Sequence, residues 1–124
     1  MTEQRGDESR SVLIARLLGL LGLAHRAGKL AVGTTAVRAM AARKRPTVMI
    51  LARDTSPGQK EKLARLVSER HLLDDLVDRD ELSRAFGRDD LTVVTVQDTG
   101  FVRGIMQIVA EVNDDSGHND SASR

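Results

Sequence analysis

Gly33-Thr34-Thr35 stands between a short apolar run with a lysine at its start, residues 29–32, and an alanine-rich stretch carrying Arg38 and Arg43. A glycine followed by two hydroxyl residues where a helix begins is chemistry for holding an anion. The first turn of a helix has unpaired backbone N–H groups and a partial positive charge, and both suit a phosphate. Gly33 has no side chain to keep that phosphate away, and Thr34 and Thr35 can donate hydroxyls. Positions 35, 39 and 43 share one helical face, so Arg43 extends the same surface. Lys29, Arg38, Lys44 and Arg45 enlarge the positive field. Residues 26–45 contain six basic side chains and no acidic one.

Other chemistries are missing their parts. A phosphate loop needs four residues between its glycines, then lysine, then serine or threonine. Here five residues separate Gly22 from Gly28, and Leu30 follows Lys29. The nucleophile-elbow, zinc and dinucleotide glycine patterns are all absent. The chain has no cysteine, so disulfides and cysteine zinc sites are excluded. His25, His71 and His118 lack metal-ligand spacing. Asp74/Asp75 and Asp89/Asp90 read as solvated loop charge. The expectation is a non-enzyme with no catalytic residue, metal, cofactor or small-molecule substrate. No Trp or Tyr is present, and Phe86 and Phe101 fall on apolar helix positions. No base-stacking platform is therefore evident, and any nucleic acid must be held by backbone contacts and shape.

The charge is asymmetric. Residues 10–53 hold nine Lys or Arg and no acid, whereas residues 54–124 hold nine basic and fifteen acidic side chains. Such imbalance points to a polyanion-binding surface. The start, MTEQRGDESR, is mixed and acidic and does not read as the basic start of a signal peptide. The apolar run that follows is cut by Arg16, too short for a membrane span. A cytoplasmic location is expected.

The elements that must position these residues alternate between helix and strand. Residues 1–9 and 113–124 read as polar disordered tails around a single domain, 10–112. Ser11 can cap a first helix rich in leucine, from Leu17 to Leu23, that should be largely buried. Gly19 and Gly22 would let another element come close. Gly28 ends that helix with a left-handed residue. A short strand precedes the second helix, capped by Thr34 or Thr35 and stopped by Pro46. TVMILA (47–52) reads as a central strand. Ser56-Pro57-Gly58-Gln59 starts a third helix. LLDDLV (72–77) is a weak strand whose aspartates suggest an edge. Asp78 and Glu81 form a capping box for a short fourth helix, LTVVTV (91–96) is a strand, and Asp98 caps the last helix. Five helices interleaved with about four strands in a mixed sheet make a three-layer α/β/α sandwich.

Three segments, LLGLAHRAGKLAVGTTAV, VMILARDTSPGQKEKL and DELSRAFGRDDLTVVTVQDTGF, resemble the bacterial YlxQ-like branch of the kink-turn RNA-binding ribosomal-protein superfamily, which includes archaeal ribosomal protein L-seven-Ae. The resemblance covers about residues 11–112. It implies the same α/β/α sandwich and a non-catalytic binder of structured RNA. The RNA would be ribosomal or another non-coding RNA, with ribosome or ribonucleoprotein components as possible partners and a place in translation. In that superfamily RNA lies on the start of the second helix and on the loop before the last strand. Gly33 matches the motif glycine and Arg43 a basic contact position. Arg79 matches the basic residue opening the fourth helix, and Arg88 lies in the second contact loop, residues 86–90. Thr35, Ala36 and Ala39 replace the asparagine, glutamate and lysine that read sheared G·A pairs. Taken together, the residue reading (Lys29, Thr34, Thr35, Arg38) and the resemblance (Gly33, Arg43, Arg79, Arg88) lead to the expectation of RNA binding through these eight residues without standard kink-turn discrimination. The rival reading is a protein-interaction adaptor on the same fold that has lost RNA binding, its acidic second half facing a basic partner.

Overall fold

Val48, Met49, Ile50 and Leu51 are all fully buried, which requires a strand covered on both faces. The computed structural model describes the backbone of residues 2–43 and 48–122 and the side chains of 9–43 and 48–114. In chain order the elements are α1 (Thr2–Arg26), β1 (Leu30–Val32), α2 (Thr34–Arg43), β2 (Val48–Leu51) and α3 (Pro57–Ala64). After them come a 3₁₀ turn (Glu69–His71), β3 (Leu72–Leu73), α4 (Arg79–Phe86), β4 (Val93–Val96) and α5 (Thr99–Ala122).

The strands lie in the order β1-β4-β2-β3. β4 is antiparallel to both neighbours, with Val32 opposite Val94 and Leu51 opposite Val93. β2 and β3 are parallel. β1 and β2 therefore point the same way. Their last residues and the first residue of β4 meet at one rim of the sheet, called here the front rim. β3 is an edge strand, as Asp74 and Asp75 suggested.

Alternation along the strands divides the interior into two cores. Val48, Ile50, Val94 and Val96 face α1, α4 and α5 together with Leu17, Leu21, Leu82 and Ile105. Met49, Leu51 and Val93 face α2 and α3, meeting Val37 and Leu63. Helices cover both faces, so the domain is a three-layer α/β/α sandwich. Thr95, fully buried in β4, donates its hydroxyl to Met40 Sδ on α2 at 3.4 Å.

The helix ends follow local chemistry. Gly28 (φ 74°) closes α1, and the Lys29 amide donates to the Ala24 carbonyl at 2.8 Å. Asp78 and Glu81 make both bonds of the capping box, each 2.8 Å. Asp98 accepts from the Phe101 amide at 3.1 Å and caps α5. Ser56 stands at the N-cap of α3 with Pro57 after it, but its side chain makes no capping bond.

Several expectations need correction. α1 begins at Thr2 rather than after a cap at Ser11, and α5 continues to Ala122, so helix bounds run into both segments expected as tails. The side chains of residues 1–8 and 115–124, His118 among them, lie outside those described, as do the expected helix stop at Pro46, the strand start at Thr47, and Lys44 and Arg45. The weak strand shrinks to Leu72–Leu73. Leu23 is 49% exposed, so the leucine-rich helix is not buried all round. Among the described residues, neither Gly19 nor Gly22 has another element against the position its Cβ would take. The close approach is at Gly104, where a Cβ would stand 3.0 Å from Leu20 Cδ2.

Candidate nucleic-acid interface

β1 ends at the front rim, and the chain turns there into α2. The Gly33 amide donates to the Val93 carbonyl at 2.9 Å, tying the turn to the central strand. The Gly33 carbonyl accepts from the Val37 amide, also at 2.9 Å, so Gly33 itself is the residue preceding the first helical turn. The cap expected at Thr34 or Thr35 is thus one residue earlier and has no side chain. The reason is backbone geometry: φ is 92° at Gly33, a conformation that L residues rarely adopt. The amides of Thr34, Thr35 and Ala36 have no acceptor among the described residues. They face out of the helix start, where the dipole is positive.

The fourth component comes from the loop before β4. Arg88 donates from Nη1 to the Val32 carbonyl at 3.3 Å. Its guanidinium lies over Gly33, so that a Cβ built there would be 3.1 Å from Arg88 Nη2. A side chain at position 33 would have to displace it. Arg88 has no carboxylate partner among the described residues. Gly33, Thr34, Thr35 and residues 88–92 line a groove of about 140 Å³. The groove is not purely basic, because Asp89 and Asp90 are on its wall.

Arg79 stands at the same rim but is committed locally. Its amide donates to Asp54 Oδ1 at 2.9 Å and its Nη2 to the Asp54 carbonyl at 3.1 Å. Nη1 is 3.5 Å from Asp90, a residue with φ 54°, and the buried Nε makes no hydrogen bond. Asp90 thus offsets the charge that Arg79 would present.

The remaining cations lie elsewhere. β1 and α2 run in opposite directions, so Lys29 at the strand start and Arg43 at the helix end lie toward the rear rim. A ten-residue helix spans about 15 Å. Lys29 borders a different groove with Met40, Asp98 and Thr99. Thr35, Arg38, Ala39, Ala42 and Arg43 are all exposed and form one stripe along α2. The eight candidate residues therefore divide into a front-rim set (Gly33, Thr34, Thr35, Arg88), a locally paired residue (Arg79), and side-chain charge running rearward (Arg38, Arg43, Lys29).

Sequence reading missed two features of this rim. Ala36 contributes its amide although its side chain carries nothing, and Arg79 is engaged by Asp54 across 25 positions and by Asp90 from the loop after α4. Neither has a local signature. Among the described residues no group of three or more His, Asp or Glu is placed to hold a metal ion, and no helix is long and apolar enough to cross a membrane.

No family model matches the chain, and no curated protein matches it. A solved structure of a protein with unknown function from Bacillus halodurans C is similar, with 31% sequence identity and a TM-score of 0.65. The likeness covers 77% of this chain and 98% of that one. With that identity across nearly the whole of the other protein, the chain belongs to the same family as this Bacillus halodurans protein of unknown function.

Proposed function

We propose that the chain is a non-catalytic, cytoplasmic RNA-binding protein, a ribosome-associated or structured-RNA accessory factor that grips RNA backbone at the front end of α2. The observation that carries this reading is the set of three unpaired amides, Thr34 to Ala36, beside the Arg88 guanidinium. Fixed N–H donors and one bidentate cation match the oxygens of a phosphate. The exposed Arg38–Arg43 stripe supplies a field along which further backbone can lie. The resemblance to the kink-turn-binding superfamily supports the same location.

Side chains able to read bases are scarce in this set. Thr35 and Ala36 offer no amide or carboxylate edge. Discrimination between a standard kink-turn and the same RNA with its G·A pairs replaced should therefore be weak, because backbone contacts carry little sequence information. Titration of both RNAs tests this. A preference of about a hundredfold or more, some 2.7 kcal/mol, would mean that the site reads base edges after all. Crosslinking the protein to RNA in its own cells, followed by sequencing, would identify the target.

A second reading is a protein-interaction adaptor on the same fold. The carboxylates of Asp89 and Asp90 on the groove wall favour it, since they oppose a polyanion. Failure to enrich any RNA after crosslinking would select it.

A further inference from the structure

The two large hydrophobic residues exposed among the described residues, Val12 at 59% and Leu23 at 49%, lie on the same helix. They are three turns apart on α1, with Arg16, Gly19 and Arg26 on the line between and beyond them. The positions 12, 16, 19, 23 and 26 follow four-and-three spacing and so share one face of the helix, on which Val12 and Leu23 are the apolar members. This line faces away from the buried stripe of Leu13, Leu17, Leu21 and Ala24, so the sheet does not use it.

Beside the line is an apolar groove of about 590 Å³ between α1 and α5. Gly19, Leu20 and Leu23 form one wall, and Gly104 and Ile108 the other. The two helices pack antiparallel here, with Arg16 paired to Glu111 at 3.4 Å. The glycines on the two walls differ. Gly104 is needed for packing, because Leu20 presses against it. Gly19 is not: a Cβ there would meet nothing within 4 Å. A glycine inside a helix lowers its stability relative to alanine, and nothing among the described residues uses the space that Gly19 leaves.

Charge selects the occupant. Arg16 and Arg26 bracket the apolar floor about 15 Å apart along the helix axis. Arg26 has no carboxylate partner among the described residues, and the Arg16–Glu111 pair is exposed on both sides, so it is weak enough for an incoming carboxylate to compete for Arg16. A second copy of the chain would bring four arginines together against two Glu111 carboxylates. A helix with an apolar stripe and acidic residues at both ends would complement the groove in shape and charge. We infer that the α1–α5 groove is a docking surface for an acidic amphipathic helix of a partner protein, seated along Gly19 and Leu23 between Arg16 and Arg26, with the exposed Val12 one turn beyond Arg16. The surface lies on the opposite side of the sheet from α2, so a bound helix would leave the front rim free.

The probe is a synthetic amphipathic helical peptide with leucines at the same four-and-three spacing and glutamates at both ends. Its counterpart has lysines in place of the glutamates. The acidic peptide should bind at least about tenfold more tightly, equivalent to 1.4 kcal/mol. It should shift the amide resonances of Gly19, Leu23 and Gly104 and leave those of Thr34 and Thr35 in place. Gly19→Leu should weaken binding by about tenfold or more by filling the groove. The variant should keep its helical circular dichroism, melt no lower than wild type and bind RNA as before. Arg26→Glu should shift the preference toward the lysine peptide. Equal affinity for both peptides, or resonance shifts confined to α2, would overturn the inference. So would a concentration-dependent dimer that Gly19→Leu dissociates and neither peptide displaces, because the occupant would then be a second copy.

Discussion

At its front end α2 offers an anion three backbone amides and, across Gly33, the Arg88 guanidinium. At its rear end it offers the exposed side chain of Arg43, with Lys29 lying toward the same rim. The two ends have the same sign of potential by different means. The amides are held by the helix itself and need no ordering when a ligand arrives. The rear cations are long side chains that must be ordered, and they act mainly through counterion release. One end can set where a phosphate sits, while the other strengthens the hold on any nearby polyanion. A basic run that looks continuous in sequence is thus two chemically different regions about a helix length apart.

The comparison breaks most visibly at Gly33. Gly33→Val would put a β-branched residue at φ 92° and a side chain under Arg88. The strain should cost about 1–3 kcal/mol of stability, read as a lower denaturant midpoint. RNA affinity should fall by about tenfold or more as the helix start shifts. An unchanged midpoint would show that the turn relaxes freely and that the front end is not preorganised.

Arg88→Gln and Arg43→Gln sharpen the contrast. Each should flatten the dependence of log affinity on log salt by about one unit. Arg88→Gln should also lower affinity by about tenfold at fixed salt, since a bidentate contact beside the amides is lost. Arg43→Gln should cost less affinity, spread evenly over unrelated structured RNAs, and reduce helix stability by about 0.5 kcal/mol. Equal losses for the two variants would erase the distinction. No change of slope or affinity for Arg43→Gln would remove the rear of α2 from the RNA surface.

The smallest effects belong to the acids. Asp89→Asn should raise RNA affinity about two- to threefold at low ionic strength, with the gain fading as salt is added. Asp74→Asn together with Asp75→Asn should leave affinity unchanged or slightly higher, because these residues follow β3 at the far side of the sheet. A large loss from that pair, with circular dichroism unaltered, would move the interface away from α2.

Much of the fold was legible because its signals are local. Asp78 with Glu81, Asp98 before α5 and Gly28 after α1 each act within a few residues, and each is realised in the structure. The continuous apolar run at 48–51 implied cover on both faces, and the two cores supply it. The glycines of α1 misled, since tolerance of a close neighbour does not establish that one is there. At the candidate site, Gly33 and the helix start could be read from residue order. Arg88 entered through the family resemblance, but its cover over Gly33 could not be read, because it meets Val32 across 56 positions. Nor could the pairing of Arg79 with Asp54 and Asp90, which depends on three loops meeting at one rim. The rearward position of Lys29 and Arg43 follows from antiparallel packing of β1 and α2, and a linear charge count does not register direction.

The place of β4 has a consequence for the birth of the molecule. It is the last strand in the chain and the second in the sheet, and it is the neighbour through which β1 joins the others. On the ribosome β1 and β2 emerge first and cannot pair with each other. At roughly 5–20 residues per second, several seconds pass before Val96 is added. Until then the four apolar residues of β2 have at most the two-residue β3 beside them. The sheet closes in one late step that joins distant parts of the chain, the kind of step that slows folding and exposes sticky surface meanwhile. A chain halted before Val93 lacks the strand that joins β1 to β2 and cannot complete the sheet.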